Sequence, residues 1–232
     1  MNNKKYNEKL KLVDREKLYA PAEAIALLPQ TARAKFDESV DLAVKLGVDV
    51  AKNPSIRGTV ALPAGSGRVK KVAVITKDRI KEAIASGAVA AGAADLIERI
   101  KGGWLGFDVL IASPDMMPEV GKLGKILGTK GLMPNPKSGT VTPEIAKAVK
   151  EFQGGKVEFK MDKGGVVHLG IGKVSFKSEA LNHNLTAVLA QLSHVKPSGL
   201  KGVYIKSITL STTMGPGLKV DTAQALDEVQ SS

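Results

Sequence analysis

The sequence predicts a mixed α/β protein of two domains: an α+β domain assembled from both ends of the chain, and a parallel α/β domain inserted between them. Three observations carry this expectation. Apolar and polar residues alternate over 40–46 and again over 157–161, the signature of half-buried strands. Between them, the continuous apolar run at 72–75 and a further apolar strand over Asp108–Ala112 alternate with helical segments, as in a buried parallel sheet. Glycine-bearing connections, PAGSG (63–67) and QGGK (153–156), bracket the change of style, and such connections are where two domains can hinge. The expected bounds are 1–66 with 157–232 for the discontinuous domain and 67–156 for the insert. A single continuous fold is the alternative.

In chain order, the polar, basic first dozen residues read as an arm or a loose helix. Pro21 opens a helix over Ala22–Leu28, where its missing N–H costs nothing, and Pro29 is expected to end it. Val40, Leu42, Val44 and Leu46 form one face of a strand, and GTVAL (58–62) a second. In the insert, helices are expected over 80–86 and 93–101, and Pro114 begins another. Thr142 and Pro143 read as the start of a further helix that stops at Gly154-Gly155. Strands at 157–161 and 166–171 flank the turn Asp162-Lys163-Gly164-Gly165 and are expected to pair as a hairpin. Ser178 is the expected cap of a helix with Leu181, Leu185, Val188, Leu189 and Leu192 along one stripe. A long strand over 203–211 runs into TTMGPG.

Composition narrows the partner. The net charge is +11 over 232 residues, and all three parts of the chain are positive, which favours a polyanion. No 18-residue apolar run, signal-peptide pattern or strongly basic amphipathic helix points to a membrane, so a soluble, cytoplasmic protein is expected. The absence of cysteine removes disulfides and thiolate metal sites. Aromatic residues make up only 4%, too few for base stacking to be the main device. Recognition of a folded or double-helical nucleic acid by backbone and shape is expected instead.

One stretch stands out: GKLGKILGTKGLMPNPKSG, residues 121–139. Glycines at 121, 124, 128 and 131 are interleaved with Lys122, Lys125 and Lys130, and no acidic residue lies between Glu119 and Glu144. Glycine lets a ligand approach the backbone, and lysines beside it suit phosphates; a solvated surface loop is the plainer reading. The stretch is not a Walker loop, because Lys137-Ser138 follows Pro136 rather than glycine. Gly65-Ser66-Gly67 precedes its strand and lacks the third glycine of a dinucleotide fingerprint. His168, His183 and His194 have no metal-ligand spacing, no GxSxG elbow exists, and neither a catalytic site nor a cofactor is expected. His168 reads either as an ordinary strand histidine or as an RNA contact. Lys35-Phe36 is either a cation beside a core plug or a pair facing a sugar or base. Thr212-Thr213-Met214-Gly215 is either a plain turn or a face of hydroxyls and close-approach glycine suited to the shallow minor groove of RNA.

GKLGKILGTKGLMPNPKSGTVT strongly resembles the signature of the large-subunit ribosomal protein L-one family, bacterial type. AKFDESV, KGGVVHLGIGKVSF and TTMGPG resemble the same family in order along almost the whole chain. Where its bacterial form usually has Pro-Arg, this chain has Thr129-Lys130, which keeps the charge and loses a rigid turn. The resemblance implies a terminal domain and an inserted Rossmann-like domain joined by a hinge. It also implies a non-enzymatic component of the large ribosomal subunit that binds a mobile stalk of large-subunit rRNA near the exit site for deacylated tRNA. Assistance in releasing exit-site tRNA and repression of the protein's own operon mRNA are implied with it. Carried over by motif, the RNA contacts would be Lys35, Phe36, His168, Thr212, Thr213, Met214 and Gly215, with secondary contacts from Lys122, Lys125 and Lys130. A nucleotide-dependent enzyme using the insert and a general nucleic-acid coating protein are the rival classes.

Overall fold

The computed structural model describes residues 4–49, 56–197, 200 and 202–231. Residues 1–3 of the expected arm lie outside them; Lys4–Leu10 form helix α1, none of whose residues is buried. Helix α2, Pro21–Thr31, buries Ala24, Ile25, Leu28 and Thr31 and runs through Pro29 instead of stopping there. The Thr31 hydroxyl donates to Leu28 O at 2.8 Å, and burial of Leu28 and Thr31 holds the last turn that proline would otherwise break. Strands β1 (Ser39–Leu46) and β2 (Arg57–Ala61) follow.

The middle of the chain runs β3 (Val72–Ile75), α3 (Ile80–Ala85), β4 (Ala90–Gly92), α4 (Ala94–Lys101), β5 (Val109–Ala112), a 3-10 turn, α5 (Met117–Gly121), α6 (Gly124–Thr129) and α7 (Ile145–Gln153). The expected cap at Thr142 is displaced: α7 begins at Ile145, and the Thr142 hydroxyl instead accepts from Glu144 N at 3.1 Å. The chain ends with β6 (Lys156–Lys160), β7 (Val166–Lys173), α8 (Ser178–His194), β8 (Ile205–Thr212), β9 (Gly217–Val220) and α9 (Thr222–Ser231). Ser178 is the first helical residue of α8, and the extended residue before it, Lys177, makes no side-chain cap.

The chain divides into two compact units, Met1–Gly67 with Val157–Ser232, and Arg68–Lys156. The first is built on an antiparallel sheet of order β7-β1-β8-β9 beside a two-stranded sheet, β2-β6. Alternation puts Val40, Leu42, Val44 and Leu46 into one core with Val167, Leu169, Ile171, Ile208 and Leu210. Helices α2 and α8 cover that face, with Leu181, Leu185, Val188, Leu189 and Leu192 forming the expected stripe. The hairpin expected between 157–161 and 166–171 is not formed: β6 pairs with β2, β7 pairs with β1, and a single bridge joins Met161 to Val167. Gly58 explains the exchange. A Cβ there would stand 2.8 Å from Phe159 Cζ, so the missing side chain admits the buried Phe159 ring against β2.

The second unit holds a parallel sheet of order β4-β3-β5. Strand β3 is buried at every position, as its unbroken apolar run requires. Ala73, Ile75, Leu110 and Ala112 pack under α4, α5 and α6 on one face; Val72, Val74 and Ile111 pack under α3 and α7 on the other. Helices on both faces of a parallel sheet make this unit α/β and the whole chain a mixed α/β fold of two parts.

Candidate nucleic-acid interface

In the first unit the two segments marked by sequence, 35–36 and 212–215, meet through a residue that composition and spacing did not single out. Glu38 is 1% exposed. Its Oε1 accepts from Arg33 N at 2.8 Å and Ala34 N at 2.6 Å, and its Oε2 accepts from Met214 N at 2.9 Å. Burial works to raise the pKa of this carboxyl, but the three backbone donors outweigh it and the net shift is downward. The clasp is completed by Arg33 Nε, which donates to Met214 O at 2.7 Å. A buried carboxylate therefore fixes the turn before β1 against the turn after β8, 176 residues apart in sequence.

The predicted residues of the two clasped segments have their places around it. Lys35 is exposed and Phe36 is 59% exposed, which removes the core-plug reading of Phe36. The Thr213 hydroxyl accepts from Ser39 N at 3.0 Å, and Thr213 N donates to Ser39 O at 3.1 Å, so this threonine closes the end of the β1–β8 ladder. Thr212 Oγ1 is buried and lies outside hydrogen-bond geometry with any described residue. Met214 presents a side chain 43% exposed. A Cβ on Gly215 would lie 2.3 Å from Thr212 Oγ1 and 3.0 Å from Thr31 O, so only glycine lets the turn close down on α2. An apolar ring, a thioether and a lysine thus stand out from a loop whose backbone is tied on both sides.

His168 is exposed on β7, directly across from Ala43 of β1. Its Nε2 is 3.6 Å from Asp162 Oδ2. Asp162 is itself locked in the turn by Val166 N and Gly164 N, each at 2.8 Å; the Val166 bond is the largest cause of its lowered pKa.

In the second unit the first part of the glycine-rich stretch is not a loop. Gly121, Gly124 and Gly128 lie within helices α5 and α6, and Leu123 and Leu127 anchor this segment in the core. A Cβ added at any of the three would meet nothing within 4 Å, so no internal packing requires glycine there. Gly131 and Gly139 do take positive φ, 70° and 64°. The turn between them is braced: Asn135 Oδ1 accepts from Lys137 N at 2.8 Å, and Asn135 N donates to Thr140 Oγ1 at 2.8 Å. Lys122, Lys125, Lys130 and Lys137 are all exposed around this bare helical surface. The two sets of predicted residues therefore stand on different units.

Among the described residues no group of three His, Cys, Asp or Glu could hold a metal ion, and no helix is long and apolar enough to cross a membrane. What the first unit offers is a largely uncharged contact surface on a hydrogen-bonded backbone, with Lys35 beside it. The model of the Ribosomal protein L1p/L10e family matches residues 28–216, from within α2 to Pro216, which takes in both clasped segments and the glycine stretch. The chain belongs to that family, and it is an rRNA-binding protein of the large ribosomal subunit.

Proposed function

We propose that the discontinuous unit recognises one folded region of large-subunit rRNA by shape, through Lys35, Phe36, His168 and the Thr212–Gly215 turn. That region is the mobile stalk near the tRNA exit site; the protein assists release of deacylated tRNA there and represses its own operon by occupying a similar fold in the mRNA. The units are the chain's RNA-binding domain and an inserted domain, joined at a double-crossing hinge. Lys122, Lys125 and Lys130 of the insert add phosphate contacts. The observation that carries the reading is the Glu38 clasp. A carboxylate buried beneath the contact surface weakens generic attraction for phosphate, so its presence favours a role in shaping the turn over one in attracting charge.

Autoregulation follows by competition, with the mRNA occupied only once rRNA sites are filled. Hydroxyl-radical footprinting of the protein on total rRNA tests the partner and the specificity together. Protection confined to one helical, irregular region of large-subunit rRNA is the expected result. Protection scattered over many duplexes would leave a general coating protein. Adding the operon mRNA leader as competitor should lift the rRNA footprint; a leader that leaves it in place contradicts the repressor role.

A further inference from the structure

The outward face of the β7-β1-β8-β9 sheet is furnished unlike an ordinary solvated strand face. One row across it reads Gly170, Asp41, Ser211, Gly217, and the next reads His168, Ala43, Thr209, Lys219. Small side chains in the middle leave a recess of about 400 Å³, lined by Asp41, Ala43, His168, Gly170 and Ser211. That volume is within the range of small-ligand sites. The recess is continuous with the clasped turn, since Ser211 leads into Thr212 and β1 begins at Ser39, the partner of Thr213. Burial raises the Asp41 pKa against the pull of nearby Lys173.

A carboxylate in this position opposes any phosphate that approaches it. Bound RNA accommodates it favourably where a nucleotide donates hydrogen bonds to it. An ionised carboxylate offers two acceptor oxygens and no donor. The Watson–Crick edge of guanine presents two parallel donors, N1–H and N2–H. Adenine and cytosine present one amino group beside an unprotonated ring nitrogen, which would face the second carboxylate oxygen unfavourably. Unpaired bases are the ones whose Watson–Crick edges proteins read, and an imidazole offers such a base an aromatic face.

We propose that this recess is a subsite for a single unpaired guanine of the bound RNA, with Asp41 accepting from N1–H and N2–H beside His168. The inference rests on the RNA-binding reading above, and its test separates the two. Kethoxal attacks the N1 and N2 positions of unpaired guanines. Probing a large-subunit rRNA transcript with wild-type protein, Asp41→Asn and Ala43→Leu reads the subsite directly, with binding to a random-sequence duplex measured in parallel.

Wild-type protein should shield a guanine that both variants leave reactive, and Asp41→Asn should weaken transcript binding by about tenfold, the scale of one bidentate base contact. Its binding to random duplex should hold or tighten, because a negative charge is gone. Ala43→Leu fills the recess without changing charge, so it separates the contact from electrostatics; unchanged melting temperatures exclude misfolding as the cause. The proposal is overturned if Asp41→Asn binds the transcript as tightly as wild type and every shielded guanine stays shielded. A wild-type protein that fails to prefer the transcript over random duplex overturns the RNA-binding reading itself, and the subsite with it.

Discussion

At Glu38 a single side chain joins two turns that lie far apart in sequence, and its chemistry sets a measurable pH dependence. Its carboxylate accepts three backbone N–H groups while 1% exposed. Replacing it by glutamine sets an NH2 group against a backbone donor, and loss of charged hydrogen bonds of this kind costs about 2 kcal/mol. The folded pKa lies below the ordinary value of 4.5. The stabilisation is therefore complete above pH 4.5 and is lost as pH falls through the depressed folded value. Thermal melts of wild type and Glu38→Gln should differ most near neutrality and converge in acid; a constant difference would mean the charge is not what the clasp uses. Phe36 and Met214 were legible in sequence because a large apolar residue among polar neighbours is visible without coordinates. Glu38 was not, because in AKFDESV it is one of two adjacent acids, and only its burial and its backbone donors distinguish it from the exposed Asp37.

Among the elements, α5 and α6 show where local pattern and tertiary structure part. Four glycines in eleven residues read as a loop, yet Leu123 and Leu127 each lie in the second unit's core and hold the segment helical. Burial outweighs a helix penalty of about 1 kcal/mol for each glycine. Since a Cβ at Gly128 meets nothing within 4 Å, Gly128→Ala should raise stability by about 0.5–1 kcal/mol, measured by denaturant melts. A loss of RNA affinity in that more stable variant would locate an external surface against the helix backbone. A destabilised variant would show that this glycine is needed internally. The hairpin expected around residues 162–165 failed for a comparable reason. Its two strands alternate correctly and flank a proper turn, but β6 finds its partner about 100 residues upstream, where Gly58 makes room for Phe159. Long-range pairing of this kind leaves no local trace.

The whole molecule carries +11, so attraction to any nucleic acid is assured, and the question is what lies beyond it. The mixed α/β fold was legible at this scale because the buried parallel run at Val72–Ile75 and the alternating run at Val40–Leu46 use different periods. Charge and shape should separate in their salt dependence. Lys130→Ala should lower the slope of log affinity against log salt by about 0.7–0.9 if that lysine neutralises a phosphate. Met214→Ala should weaken specific binding by more than Lys130→Ala does while leaving the slope unchanged. Equal losses with equal slopes would leave electrostatics alone. The most direct measurement of the central claim is competition: the protein bound to large-subunit rRNA, challenged with a large excess of random-sequence duplex at physiological salt. A complex that survives the challenge is the predicted result, and one displaced in proportion to the duplex added would contradict recognition by shape.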